Sequence, residues 1–127
     1  MDVAKLAKQQ AMNRVFIGAG LTLLPALFAR PWVGSSATDE RAKVLARSLG
    51  ARDLALGAAG LLALREERTD WAARAFAAQA YADAIDFAAI LGGGRRVPLF
   101  ARVLGGAMAA SSAAVAAAYA RRLAGAG

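Results

Sequence analysis

The side chains that could do chemistry in this chain are few, and most of them interrupt apolar stretches. Arg47, Arg52 and Asp53 fall in one such stretch, Gln79, Asp83 and Asp86 in the next, and Arg102 in the last. If these stretches lie in lipid, a charge at mid-depth costs at least roughly 2.5–3.5 kcal/mol, so it must face a partner or water. Carboxylates in that setting either pair with guanidinium groups and fix helix register, or line a pocket or proton path. Helical spacing gathers them: Gln79, Asp83 and Asp86 share one stripe at i, i+4, i+7, and Gly50, Asp53, Gly57 and Gly60 share another. Arg47, Arg52 and Arg102 balance Asp53, Asp83 and Asp86. No carboxylate is then spare for a proton relay, and an ion-pair network is the expected arrangement.

Other chemistries are excluded or weak. The chain has no Cys and no His, which removes disulfides, thiolate catalysis, Cys/His zinc sites, His-ligated haem and a Ser-His-Asp triad. The spacing Asp83-Ala84-Ile85-Asp86 resembles a paired-carboxylate motif but lacks the His and Glu neighbours of a di-metal site, so no metal is expected. Gly18-Ala19-Gly20 follows no strand and is no dinucleotide fingerprint. Ser111-Ser112 reads as helix-packing glue. No cofactor is expected. The net charge of +7 comes from Arg and Lys that flank apolar runs, with no interleaved aromatic stripe. That pattern suits anionic lipid headgroups and topology control rather than nucleic acid.

The elements that must carry these residues follow from hydropathy. Residues 1–127 make one domain with an apolar fraction of 58%, against a usual soluble share of about 45–50%. The chain reads as all-α: a four-transmembrane-helix bundle, up-down-up-down with short loops, in the cell membrane as a multi-pass protein. The spans are about 12–29, 42–64, 71–91 and 98–120. Pro25 should kink the first span, Ser36 or Thr38 should cap the second, and Pro98 fits the first turn of the fourth. A soluble Ala-rich four-helix bundle is the alternative fold. The runs 15–29, 54–64 and 107–120 oppose it, because they are apolar all the way round. Four spans put both termini on one side. Lys5, Lys8, Arg14, Arg65, Arg68, Arg121 and Arg122 lie on that side, against Arg30, Arg41, Lys43, Arg95, Arg96 and Arg102 opposite, so the termini are expected in the cytoplasm.

Short loops allow a depth estimate. With about 1.5 Å of rise per residue in both arms, residues whose numbers sum to about 135 face each other across the second and third helices. Arg52 then lies level with Asp83, and the two should pair, with Asp53 or Asp86 taking the place of Asp83 where helix rotation, which this arithmetic does not fix, turns it away. Arg47 comes near Asp86. Asp83 falls level with Gly106, and Asp86 next to Arg102. Arg52 and Asp53 fall level with Gly18 and Ala19. Gly18, Gly20, Gly57, Gly60, Gly105 and Gly106 are the candidate close-packing positions, since small residues let helices approach in lipid.

The pattern Arg-x-Leu-Gly-x-Arg-Asp-x-x-x-Gly runs from Arg47 to Gly57, and Asp83-x-x-Asp86 follows about 30 residues later. It resembles a family of small bacterial four-helix membrane proteins catalogued as a domain of unknown function. The resemblance covers residues 13–119 and implies the fold and the membrane location; it brings no activity. The residues support a non-enzymatic membrane subunit, or a lipid- or small-molecule-binding membrane protein, with a buried Arg/Asp layer. Its partners would be the lipid bilayer and a lipophilic small molecule or another membrane protein. The alternative is a membrane enzyme that uses Asp83 or Asp86 as acid or base on a lipophilic substrate. A sealed, fully paired layer favours the first, and an open cleft holding an unpaired carboxylate favours the second.

Overall fold

The computed structural model describes residues 2–126, which form five α-helices and no strand. They are α1 (Val3–Leu23), α2 (Pro25–Val33), α3 (Glu40–Arg65), α4 (Thr69–Gly93) and α5 (Gly106–Ala124). Short 3-10 turns at Gly34–Thr38 and Gly94–Arg96 join them, and a π-helical turn, Ala101–Gly105, leads into α5.

Local chemistry explains most boundaries. The Asp2 carboxylate accepts from the backbone N–H groups of Ala4 and Lys5 and starts α1. Asp39 does the same for α3 through Arg41 and Ala42, so the cap is Asp39 rather than Ser36 or Thr38. Arg65 in the last turn of α3 complements the helix dipole. Gly94, at φ 53°, takes the left-handed position that closes α4.

The expected kink at Pro25 is a full break. Pro25 has no N–H to give, and its ring drives the preceding residue out of the helical region; Leu24 sits at φ −127°, ψ 59°. The segment after it, Pro25–Thr38, turns away from α1 by 106°. Residues 24–29 therefore do not extend the first helix. The phenyl ring of Phe28 folds back over Gly20, where a Cβ would collide with it, and Trp32 reaches Phe100 ahead of the π-helical turn.

The four long helices run alternately up and down. Antiparallel α1 and α3 meet almost backbone to backbone. A Cβ on Gly18 would lie 2.5 Å from the Leu54 nitrogen, and one on Gly57 2.8 Å from the Ala11 carbonyl oxygen. In α3 against α4, Gly60 faces Phe76 and Gln79. In α4 against α5, Phe76 meets Tyr119 edge-on at 4.9 Å, and Ile90 and Phe87 stand against Gly105 and Gly106. Gly105 and Gly106 therefore lie opposite Phe87 and Ile90 rather than level with Asp83. The π-helical turn and the Gly94–Arg96 turn lengthen the connection and slide this register by about one helical turn.

The interior is made mostly of small residues, with Leu21, Phe76 and Tyr119 as its large apolar members. One cluster gathers Ala7, Ala11, Phe76, Ala116, Tyr119 and Ala120 at the end of the bundle that holds both chain ends; a second gathers Leu21, Ala29, Ala37 and Ala46 near α2. By length and composition, Ala101–Ala124 is a helix able to cross a membrane, and α1 with Pro25–Thr38 qualifies only if the two are counted together across their bend. Among the described residues, the four expected spans reduce on that measure to one or two. The charged and amide side chains of α3 and α4 lower their average hydropathy.

Candidate functional site

Between the two apolar clusters runs a continuous chain of ion pairs. Arg14 on α1 is its hub: Nη1 donates to Asp53 Oδ1 of α3 at 2.8 Å, and Nη2 donates to Asp83 Oδ1 of α4 at 2.5 Å. Asp53 Oδ1 also accepts from Arg52 Nη2 at 3.3 Å. Arg52 then grips Asp86 with both terminal nitrogens, at 3.0 and 2.6 Å. The order is Asp83–Arg14–Asp53–Arg52–Asp86, and it ties three helices together.

Burial grades along this chain. Arg14 and Asp83 are 7% and 5% exposed, whereas the Arg52 and Asp86 side chains keep about a third of their surface. Gln79, one turn before Asp83, is fully buried and donates from Nε2 to the Leu56 carbonyl at 3.0 Å. Several polar atoms are buried without a partner among the described residues, including Asp83 Oδ2, Gln79 Oε1 and Arg14 Nε.

The sequence-derived site is thus partly regrouped. Arg52, Asp53, Gln79, Asp83 and Asp86 do come to one layer. The expected Arg52–Asp83 pair does not form: Arg52 takes Asp86 and Asp83 takes Arg14. Equal depth was a sound guide, but helix rotation turns Asp83 toward α1 and leaves Asp86 facing Arg52. Arg47 is exposed and makes no ion pair among the described residues; it borders an open cleft with Lys43 and residues 23–27. Arg102 lies in the π-helical turn, half-buried, with Nε unpartnered. The slid α4–α5 register keeps it away from Asp86.

Arg14 is the residue that sequence reasoning placed at a membrane boundary and the fold places inside. A signal for it existed. Ala7, Ala11, Arg14, Gly18 and Leu21 are the buried residues of α1, and they repeat at the 4-3-4-3 spacing of a helix seam. Arg14 is the one charge on that inward stripe.

With Arg14 in place of Arg47 and Arg102, the balance changes: two guanidinium groups face three carboxylates. The layer carries one formal negative charge in excess. Two shallow clefts, of about 330 and 320 Å3, both lie beside α2 and touch none of Arg14, Gln79 or Asp83. Among the described residues no group of three or more carboxylates could hold a metal ion. No protein-family model, curated protein or solved structure matches this chain.

Proposed function

We propose that the chain is a small multi-pass membrane protein of non-enzymatic type, a helix-bundle subunit or lipid-binding protein in which the Arg/Asp chain holds weakly apolar helices together. The observation that carries this reading is the inverted radial order of the bundle. Its interior is mostly Ala and Gly with Arg14, Gln79 and Asp83 and only a few large apolar groups, Leu21, Phe76 and Tyr119, while many large apolar side chains point outward: Phe16 is 69% exposed, Leu45 70% and Leu23 75%. Water would leave such a surface uncovered at a cost of roughly 1.5–3 kcal/mol for each large side chain, and hydrocarbon removes that cost. Small residues inside and polar groups turned inward are what helix association in lipid requires.

The helix faces agree. The outward positions of α4 between Arg74 and Gly92 are Ala77, Ala78, Tyr81, Ala84, Ile85, Ala88, Ala89 and Leu91, with Gln79 and Asp83 buried behind them. A charge count along the sequence penalises α4 for Asp83, which is buried, and for Asp86, which is partly exposed but paired with Arg52. In the most apolar helix only 28% of the apolar window is buried, whereas a soluble core helix is covered. Four spans, up-down-up-down, with both chain ends on the cytoplasmic side, complete the proposal. Arg30, Arg41, Arg95 and Arg96 lie toward the opposite end, where anionic headgroups would meet them.

The enzyme alternative has less support, since the two clefts beside α2 touch none of Arg14, Gln79 or Asp83. Alkaline carbonate washing of membranes from cells expressing the protein tests the reading. The protein should stay in the pellet and need detergent for release. Recovery as a soluble monomer would overturn the multi-pass proposal.

A further inference from the structure

The three carboxylates of the layer are not served alike. Asp86 receives both terminal nitrogens of Arg52. Asp53 Oδ1 receives a donor from Arg14 and another from Arg52. Asp83 receives one bond, from Arg14 to Oδ1, and its Oδ2 is buried with nothing to accept from. A second bare oxygen sits on the same helix face. Gln79 Oε1 is buried and unpartnered, and the bond from Nε2 to the Leu56 carbonyl fixes which way the amide points. Turning the amide over would set oxygen against oxygen.

Residues at i and i+4 have Cβ atoms about 5–6 Å apart, within reach of each other's polar tips. Both tips here are acceptors. An ionised Asp83 cannot satisfy Gln79, and Gln79 cannot satisfy Asp83. A buried acceptor left bare is costly, and this layer has two of them beside one uncompensated negative charge. A single hydrogen on Asp83 Oδ2 resolves all three deficits.

We propose that Asp83 is a proton-binding site, held as a carboxylic acid whose Oδ2–H donates to Gln79 Oε1 while Oδ1 goes on accepting from Arg14. A metal cation is the poorer occupant. The Arg14 guanidinium already stands where it would be held, and no third carboxylate closes on the spot. The charged groups around Asp83 are Arg14 on α1, Asp53 on α3 and Asp86 on its own helix, the last two both bonded to Arg52. On α5 no ionisable side chain lies between Arg102 and Tyr119. The proton is therefore linked to the seating of α1 on α4. While it is bound, Arg14 bridges a neutral layer; when it leaves, the excess charge and both bare oxygens fall at that seam. The inference rests on the geometry of the layer and holds independently of the membrane reading.

The test uses the full chain in detergent. With 13C-labelled aspartate at neutral pH, one carboxyl carbon should resonate as a protonated acid, and Asp83→Asn should remove that signal. Asp83→Asn should melt together with the wild type, because the amide repeats both hydrogen bonds of the acid. Asp53→Asn and Asp86→Asn should each melt lower. The wild-type melting temperature should fall as the pH is raised through the release of the proton, and Asp83→Asn should abolish that fall. Absence of a protonated carboxyl signal in the wild type overturns the proposal even if no variant folds. A gain in melting temperature specific to sodium over choline at equal ionic strength, lost in Asp83→Asn, overturns it in favour of a bound cation.

Discussion

Replacing Arg14 by Met removes the hub of the layer and keeps most of its volume, so the cost is electrostatic rather than a cavity. Arg14 supplies the one donor to Asp83, at 2.5 Å, and one of two donors to Asp53, at 2.8 Å. Deleting one partner of a buried ion pair costs about 3–5 kcal/mol. Asp53 keeps Arg52, and Asp83, held as an acid, loses a hydrogen bond rather than an ion pair, which places the loss toward the lower end, about 3–4 kcal/mol. At about 1.4 kcal/mol per factor of ten, the folded-to-unfolded ratio falls by roughly two to three orders of magnitude. The assay is thermal unfolding in detergent as a double-mutant cycle of Arg14→Met with Asp53→Asn. Both changes break the same pair, so the double variant should lose less than the sum by about 0.5–3 kcal/mol. The cycle of Arg52 with Asp83, which share no bond, should show less coupling than that of Arg52 with Asp86. Additive losses at positions 14 and 53, within about 0.5 kcal/mol, would show that the ion-pair chain does not hold the helices and would refute the reasoning.

Two further outcomes follow from the fold. Gly18→Ala should destabilise the bundle by about 1–3 kcal/mol, because its Cβ would meet the Leu54 nitrogen and Gly50 oxygen at 2.5 and 2.7 Å. Gly92→Ala, whose Cβ meets nothing within 4 Å, should raise stability by about 0.5–1 kcal/mol; melting curves check both, and equal effects would mean α1 and α3 are not in backbone contact. Reporter fusions at the two chain ends should report the same side of the membrane, the cytoplasm, and opposite locations would remove one of the four proposed spans.

What could be read from the sequence was depth, and what could not was rotation. The turn between α3 and α4 is short, so residue numbers sum to nearly a constant across it, and Leu56 meets Gln79 where that rule puts them. The same arithmetic set Arg52 and Asp53 level with Gly18 and Ala19, and Gly18 indeed abuts Leu54 and Gly50. It failed where the chain departs from a straight helix: at Leu24, where Pro25 breaks the helix, and around Ala101–Gly105, where a wide π-helical turn displaces Arg102. It also fails at Arg14, because a charge just before an apolar run has the same sequence pattern as a boundary marker. Only the seam spacing of α1 distinguishes an inward Arg from one that flanks a span.

The distribution of charge along the ion-pair chain bears on how the molecule is put together. Arg14, Arg52 and Asp53 all belong to the part of the chain before Glu66, and Asp83 and Asp86 to the part after it. The leading half therefore presents a layer with one surplus positive charge, and the trailing half a layer with one negative charge, on Asp86, beside the Asp83 acid. Within the leading half, Arg14 meets Asp53 across the glycine-lined α1–α3 contact, so it can partner before synthesis of α4 is complete. The trailing half has no cation at that level, so Asp86 stays unpaired until it docks on Arg52. Assembly is thus directional: the first half waits with a guanidinium to spare, and the second brings the Asp86 carboxylate that answers it.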